Sequence, residues 1–281
     1  MERFNRDIEA IYSKLVKGVS TFFRQQWKER AVIGLSGGID SAVVFVIAVE
    51  ALGRDKVHPI LMPSPFSTIH SVTDSVELAG NLQIEHSVVP IDDIYNRYLR
   101  ELEELFSNNI KDLTLENLQA RIRGDILMAY SNNSGALLLN NTNKSELAVG
   151  YGTLYGDLCG AIMVIGDLYK LQIYSLANYI NRKKEIIPRS IITKEPSAEL
   201  KDDQKDSDSL PKYDILDPIL LSLIEEGKGV AQLIEEGANP AVVNEVIALM
   251  ESSRFKIAQL PPLLQIGEHP LLPPDKCFNN F

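Results

Sequence analysis

The sequence predicts an α/β fold: a doubly wound parallel sheet with flanking helices and a helical C-terminal part. Short apolar runs alternate with helical patterns through the first half of the chain. The runs stop at glycine, proline or polar residues, as buried parallel strands do. The length of 281 residues, with 45% hydrophobic and 23% charged residues, suits a soluble chain that buries one large core, read as a single domain over 1–281.

The elements follow in order. Residues 2–29 carry Ile8, Ile11, Leu15, Val19, Phe22 and Phe23 at helical spacing. Residues 31–35 read as a buried strand and 42–52 as the helix after it. A second strand over 57–62 stops at Pro63-Ser64-Pro65, and a helix over 71–82 leads to a third strand near 85–91. This alternation implies a parallel sheet with helices on both faces. A polar helical region through 113–132 precedes a strand at 136–139 and the turn Asn140-Asn141-Thr142-Asn143. Ligands of open parallel sheets gather at the carboxyl ends of strands, which makes the ends of the 31–35 and 136–139 strands neighbours at a site. A strand at 162–165, a helix over 171–182 and short helices over 215–250 complete the pattern. Pro261-Pro262 and Pro273-Pro274 make 260–281 an extended tail. Residues 201–209 contain no apolar side chain, and composition leaves 195–213 open between a solvated linker and a mobile lid.

Bulk numbers exclude several classes. A net charge of −10 argues against nonspecific nucleic-acid binding. No apolar run approaches the roughly 20 residues of a membrane span, and the first residues lack the apolar core of a signal peptide. The two cysteines, Cys159 and Cys277, offer neither a disulfide framework nor a cysteine zinc site. The expectation is a cytoplasmic protein without nucleic-acid or membrane partners.

The chemistry concentrates in Gly34-Leu35-Ser36-Gly37-Gly38-Ile39-Asp40-Ser41, between the first strand and its helix. Glycines let backbone N–H groups crowd around an anion, and the helix N-terminus adds partial positive charge. Ser36 and Ser41 can donate hydroxyls, while Asp40 sets a carboxylate where a metal can bridge to the anion. The Gly-Lys-Ser/Thr ending of an ordinary P-loop is missing, which disfavours a kinase or GTPase. A loop of this kind suits pyrophosphate held as a leaving group.

With this loop the chain resembles the NAD synthetases, within the ATP-pyrophosphatase group that also holds GMP and asparagine synthetases. The group shares Ser36 to Ser41. Three stretches are more specific to NAD synthetases: Glu-Asn-Leu-Gln-Ala-Arg-Ile-Arg at 116–123, Asn-Lys-Ser-Glu-Leu-Ala-Val-Gly-Tyr at 143–151 and Lys-Glu-Pro-Ser-Ala-Glu-Leu at 194–200. The resemblance runs from about residue 10 to 260 and implies a Rossmann-like fold and a ligase. Such enzymes amidate deamido-NAD to NAD, consuming ATP and ammonia through an adenylated carboxylate and releasing AMP and pyrophosphate.

The resemblance also implies roles for residues. ATP would lie on Gly34 to Ser41 with Asn141, Lys170 and Ser197, and Mg²⁺ would take Asp40 and Glu146. Deamido-NAD would meet Asn117, Arg121, Glu146, Tyr151, Leu154 and Lys256. Asp157 would stand by the ammonia, making Asp157, Lys170 and Asp40 the catalytic set. Asn141 replaces the family's usual threonine, Leu154 and Ala161 replace a lysine and an aspartate of ammonia-dependent members, and Ile257 replaces an arginine. Residues 150–157 resemble the synthetase domain of glutamine-dependent enzymes, and the chain has no space for their glutaminase domain. The implied nitrogen source is free ammonia or a separate glutaminase, and the implied assembly is a homodimer. Competing readings are another ATP-pyrophosphatase amidotransferase, a tRNA-modifying member and a nucleotide-binding module without catalysis. Acidic charge and the absence of Cys-x-x-Cys count against tRNA chemistry.

Overall fold

The computed structural model describes Phe4, residues 7–107 and residues 109–281. The expected start of the first helix at Glu2 lies outside the described residues; the helix is observed as α1 (Ile8–Gln25). Strand β1 (Ala31–Gly34) pairs with β2 (Val57–Leu61) on one side and β4 (Leu137–Asn140) on the other. The sheet continues through β3 (Ser87–Val88), β5 (Ile162–Met163), β6 (Leu263–Leu264) and β7 (Cys277–Phe278). Its seven strands run in the order β3-β2-β1-β4-β5-β6-β7, and every pairing is parallel.

Pleating decides which residues meet which helices. Ala31, Ile33, Leu61 and Leu139 face one layer, with α1, α2 (Ile39–Leu52) and α7 (Lys170–Ile180). Val32, Ile60 and Leu138 face the other, where Leu118, Ile122 and Leu127 of α5 (Asp112–Ser134) cover them. Helix α2 is apolar all round and its residues from Ala42 to Ala48 are all buried, as a central helix must be. Helix α3 (Ile69–Asn81) follows β2, and α4 (Asp92–Leu105) follows β3.

The order 3-2-1-4 reverses the direction of sheet growth between β1 and β4. That topological switch point opens a crevice at their carboxyl ends. The loop 34–41 and the turn 140–143 flank it, and the Asn141 Nδ2 donates to the Gly34 carbonyl at 3.1 Å.

Residues 260–281 hold more order than an extended tail: β6 and β7 lengthen the sheet beyond β5. Strands of two residues show no alternation in sequence, and the paired prolines are the strongest local signal there. The short helix α6 (Lys144–Val149) follows β4, and α8 (Arg189–Thr193) follows α7. The C-terminal helices are α9 (Tyr213–Ile224), α10 (Val230–Glu235) and α11 (Pro240–Ile257), sharing a second core with Val149 and Tyr169. No described helix is long and apolar enough to cross a membrane.

Candidate functional site

The glycine loop is pinned by its own serines. The Ser41 hydroxyl donates to the Gly38 carbonyl at 3.0 Å and accepts from the Ser36 N–H at 3.3 Å, while the Gly38 N–H donates to Ser36 Oγ at 3.2 Å. Gly37 has a φ of 74°, and a Cβ there would run into the Ser71 carbonyl of α3. Left-handed backbone alone costs a side chain about 1–2 kcal/mol. Gly37→Ala is therefore expected to lower the urea midpoint; an unchanged midpoint would remove this account of the loop.

Helices α2, α6 and α7 aim three charged side chains at one point. Lys170, the first residue of α7 and only 3% exposed, places Nζ 2.5 Å from Asp40 Oδ2 and 3.3 Å from Glu146 Oε1. Asn143 fixes both carboxylates. Its Nδ2 donates to Asp40 Oδ1 at 2.9 Å, and its N–H donates to Glu146 Oε2 at 3.2 Å. Asn143 Oδ1 accepts the Glu146 N–H at 3.0 Å, completing a capping box on α6. Burial pushes the Glu146 carboxyl above its ordinary range, against the pull of Lys170. For Lys170 burial works downward, but Asp40 and Glu146 prevail, and the amine stays charged above its ordinary range.

These groups border a cavity of ≈ 300 Å³ at the switch point. Of the sequence-expected residues, Gly34, Leu35, Ser36, Gly38, Ile39, Asp40, Ser41, Asn141, Glu146, Tyr151, Asp157, Lys170 and Ser197 line it. Gly37 turns the loop without lining the cavity. Asn141 Oδ1 is buried without a hydrogen-bond partner. The Asp157 carboxylate accepts the Thr153 N–H at 2.6 Å, and desolvation raises its pKa. Ser197 is already engaged, donating to the Gln204 carbonyl at 2.5 Å.

Asn117, Arg121, Leu154 and Lys256 are not among the cavity walls. They meet at the 150–154 loop instead. Thr153 Oγ1 donates to Asn117 Oδ1 at 2.6 Å, and Arg121 Nε donates to the Leu154 carbonyl at 3.3 Å. Lys256 Nζ donates to the carbonyls of Gly150 and Gly152, at 2.7 Å each. The helical-turn spacing of Asn117 and Arg121 thus puts both on one face, against the loop that carries Tyr151.

The polar segment 201–209 is anchored at two residues, while the other seven are exposed. Gln204 and Asp206 are buried, and Asp206 lines the cavity. Its carboxylate accepts the hydroxyls of Tyr151 at 3.1 Å and Tyr213 at 2.9 Å, which lets an acid sit in a buried place. Upstream, the Glu199 carboxylate accepts from the Thr68 N–H at 3.2 Å, the Thr68 hydroxyl at 3.1 Å and the Ser71 hydroxyl at 2.5 Å, so it covers the start of α3.

Sequence reasoning assigned no role to Asp206, Glu199 or Lys144. Lys144 is 1% exposed, and its Nζ contacts Asp167 Oδ1 at 3.0 Å, Glu225 Oε1 at 2.6 Å and the His269 carbonyl at 2.8 Å. Its place inside the 143–151 stretch was the one available signal; nothing in the sequence pairs it with Glu225.

Residues 11–260 match the family model for NAD synthase. The chain belongs to the NAD synthase family. It is 46% identical over 262 residues to the glutamine-dependent NAD(+) synthetase of Synechocystis sp., covering 93% of this chain and 47% of that protein. The chain thus spans about half the length of the curated relatives it matches. Among solved structures it resembles the glutamine-dependent NAD+ synthetase of Acinetobacter baumannii in complex with ADP, at 38% identity and a TM-score of 0.65, covering 92% of this chain and 46% of that one. It also resembles the NH3-dependent NAD synthetase of Campylobacter jejuni in complex with nitrate, at 30% identity and a TM-score of 0.74. That alignment covers 92% of this chain and 99% of the other. These NAD synthetases confirm the Rossmann-like α/β expectation for the fold.

Proposed function

We propose that this chain forms NAD from deamido-NAD, ATP and ammonia. The observation that carries the proposal is the meeting of Asp40, Glu146 and Lys170 beside a phosphate-type glycine loop in a member of this family. The chemistry asks for such a site. A carboxylate resists nucleophiles, so its oxygen first attacks the α-phosphorus of ATP, and pyrophosphate leaves. Ammonia then attacks the carbonyl carbon of the mixed anhydride, AMP leaves with the bonding electrons, and nitrogen loses a proton.

Each side chain has a task in this scheme. The loop N–H groups and the charged Lys170 hold the departing pyrophosphate. Among the described residues no three metal-type ligands cluster, but two carboxylates joined by phosphate oxygens and water are a donor set that Mg²⁺ takes. Bound to Asp40 and Glu146, that ion would supply charge neutralisation along the phosphates. Asp157, whose pKa is raised by desolvation at the cavity wall, takes the proton from the attacking nitrogen. Asn141 offers its unpartnered Oδ1 to the adenosine, and Ser197 stands at the nucleotide. Asn117, Arg121, Leu154 and Lys256 shape the 150–154 loop that carries Tyr151, and with Tyr151 and with Glu146 of α6 they meet the dinucleotide.

The test is NAD formation from deamido-NAD, ATP and Mg²⁺ with ammonium and glutamine as parallel nitrogen sources. Turnover with ammonium is expected; turnover with glutamine alone would assign the donor differently. ATP binding with no turnover from either source would overturn the proposal in favour of a binding module. Ammonia would come from solution or from a separate glutaminase.

We also propose that residues 195–213 act as a lid, seated by Asp206 on Tyr151 and Tyr213 and by Glu199 on α3. ATP plus deamido-NAD should protect 201–213 from proteolysis, and unchanged cleavage would leave a plain linker. A homodimer is the proposed assembly, to be checked by light scattering.

A further inference from the structure

One carboxylate outside the cavity stands between the helices that deliver Glu146 and Lys170. Asp217 lies in α9 and is 0% exposed. Its Oδ1 accepts the Ser145 hydroxyl at 2.6 Å, and its Oδ2 accepts the Leu171 N–H at 2.8 Å. The Ser145 oxygen in turn accepts the Lys170 N–H at 2.9 Å. Ser145 precedes Glu146 in α6, and Lys170 and Leu171 open α7. A ring of hydrogen bonds therefore ties three helices together at the root of the charged trio.

The ring does more than satisfy the orphan N–H groups at the start of α7. A local serine or asparagine suffices for capping, whereas a fully buried carboxylate carries a desolvation cost. That cost is visible here: burial pushes the Asp217 carboxyl up to about 6, with the Ser145 and Leu171 bonds pulling the other way. What the costly arrangement adds is registration. The two helix starts are held at one spacing, and from them Lys170 Nζ and Glu146 Oε1 meet at 3.3 Å.

We infer that Asp217 is a positioning residue, setting the spacing of Glu146 and Lys170 and thereby the grip and reactivity of the nucleotide site. The inference deepens the function proposed above and rests on MgATP binding at that site.

The experiment uses Asp217→Ala, Asp217→Asn and Ser145→Ala in the full chain. Calorimetry gives MgATP affinity, steady-state kinetics give kcat with deamido-NAD and ammonium, and urea gives stability. Asp217→Ala should lower both affinity and kcat by about 10- to 100-fold, the scale of an ångström-sized misplacement. Asp217→Asn should recover most of the affinity, because its amide still accepts from Leu171 and bonds Ser145. Adding Ser145→Ala to Asp217→Ala should cost nothing further, since both act in one ring. In a Lys170→Met background Ser145→Ala should lose most of its effect on MgATP affinity, an outcome that a general loss of stability would not give. Wild-type affinity and kcat in a folded Asp217→Ala protein would overturn the inference, as would a full Ser145→Ala effect in the Lys170→Met background. If Asp217→Ala fails to fold, Ser145→Ala, alone and in the Lys170→Met background, carries the same comparisons, with wild-type affinity and kcat in the single variant overturning the inference. If the wild type binds MgATP without forming NAD, the proposed function falls while the affinity comparisons still decide the role of Asp217. Absence of MgATP binding would overturn both.

Discussion

Asp40→Ala is expected to lower NAD formation by about a thousandfold or more, the scale seen when a transition-state charge loses its partner. The fold should survive. Lys170 keeps Glu146 as a counter-charge at 3.3 Å, and the Asp40 side chain is 17% exposed, so water can fill its place. Glu146→Ala should act alike on turnover, with an added loss at the start of α6 because its carboxylate accepts the Asn143 N–H. Circular dichroism and urea unfolding separate the two effects. A near-wild-type rate in either variant would remove Asp40 and Glu146 from the metal assignment.

Lys144→Met should have the opposite signature, with stability as its main loss. Removing one partner from a buried ion pair leaves an uncompensated charge and costs about 3–5 kcal/mol. Here two carboxylates are stranded, Asp167 with a side-chain exposure of 0% and Glu225 with 25%. The Tyr169 ring, 5.2 Å from Nζ, also loses its cation. The urea midpoint should fall accordingly. A loss under about 1 kcal/mol, the level of a surface pair, would show that water enters this network.

The fold was legible where local signals are long enough to carry a period. β1 and β2 are buried runs cut by Ser36-Gly37-Gly38 and Pro63-Ser64-Pro65, and α1 repeats its apolar residues at helical spacing. β3 and β5 fall inside the strands read near 85–91 and at 162–165, though each is only two residues long, whereas β6 and β7, also two residues each, are too short for alternation to register. Asp40 was legible inside the glycine loop, Glu146 and Asp157 inside the 143–151 and 150–157 stretches, and Lys170, which sits in none of these stretches, only through the family resemblance. Asp206 was not, because an acid inside Lys-Asp-Ser-Asp reads as solvated until Tyr151 and Tyr213 are seen to converge on it. Asp217 was hidden for a related reason: its hydrogen-bond partner Ser145 is 72 residues away, and an aspartate in a helix normally faces water.

The Lys144 network reaches past the segment that defines the family. The match ends at residue 260, yet the Asp167 carboxylate accepts the N–H groups of Ile266 and Gly267, and Lys144 donates to the His269 carbonyl. Cutting the chain at the end of the match would delete β6 and β7 and strip three hydrogen bonds from an ion pair seated at the base of α6. The last twenty or so residues are thus a brace for the helix that presents Glu146, and a minimal version of this protein has to keep them.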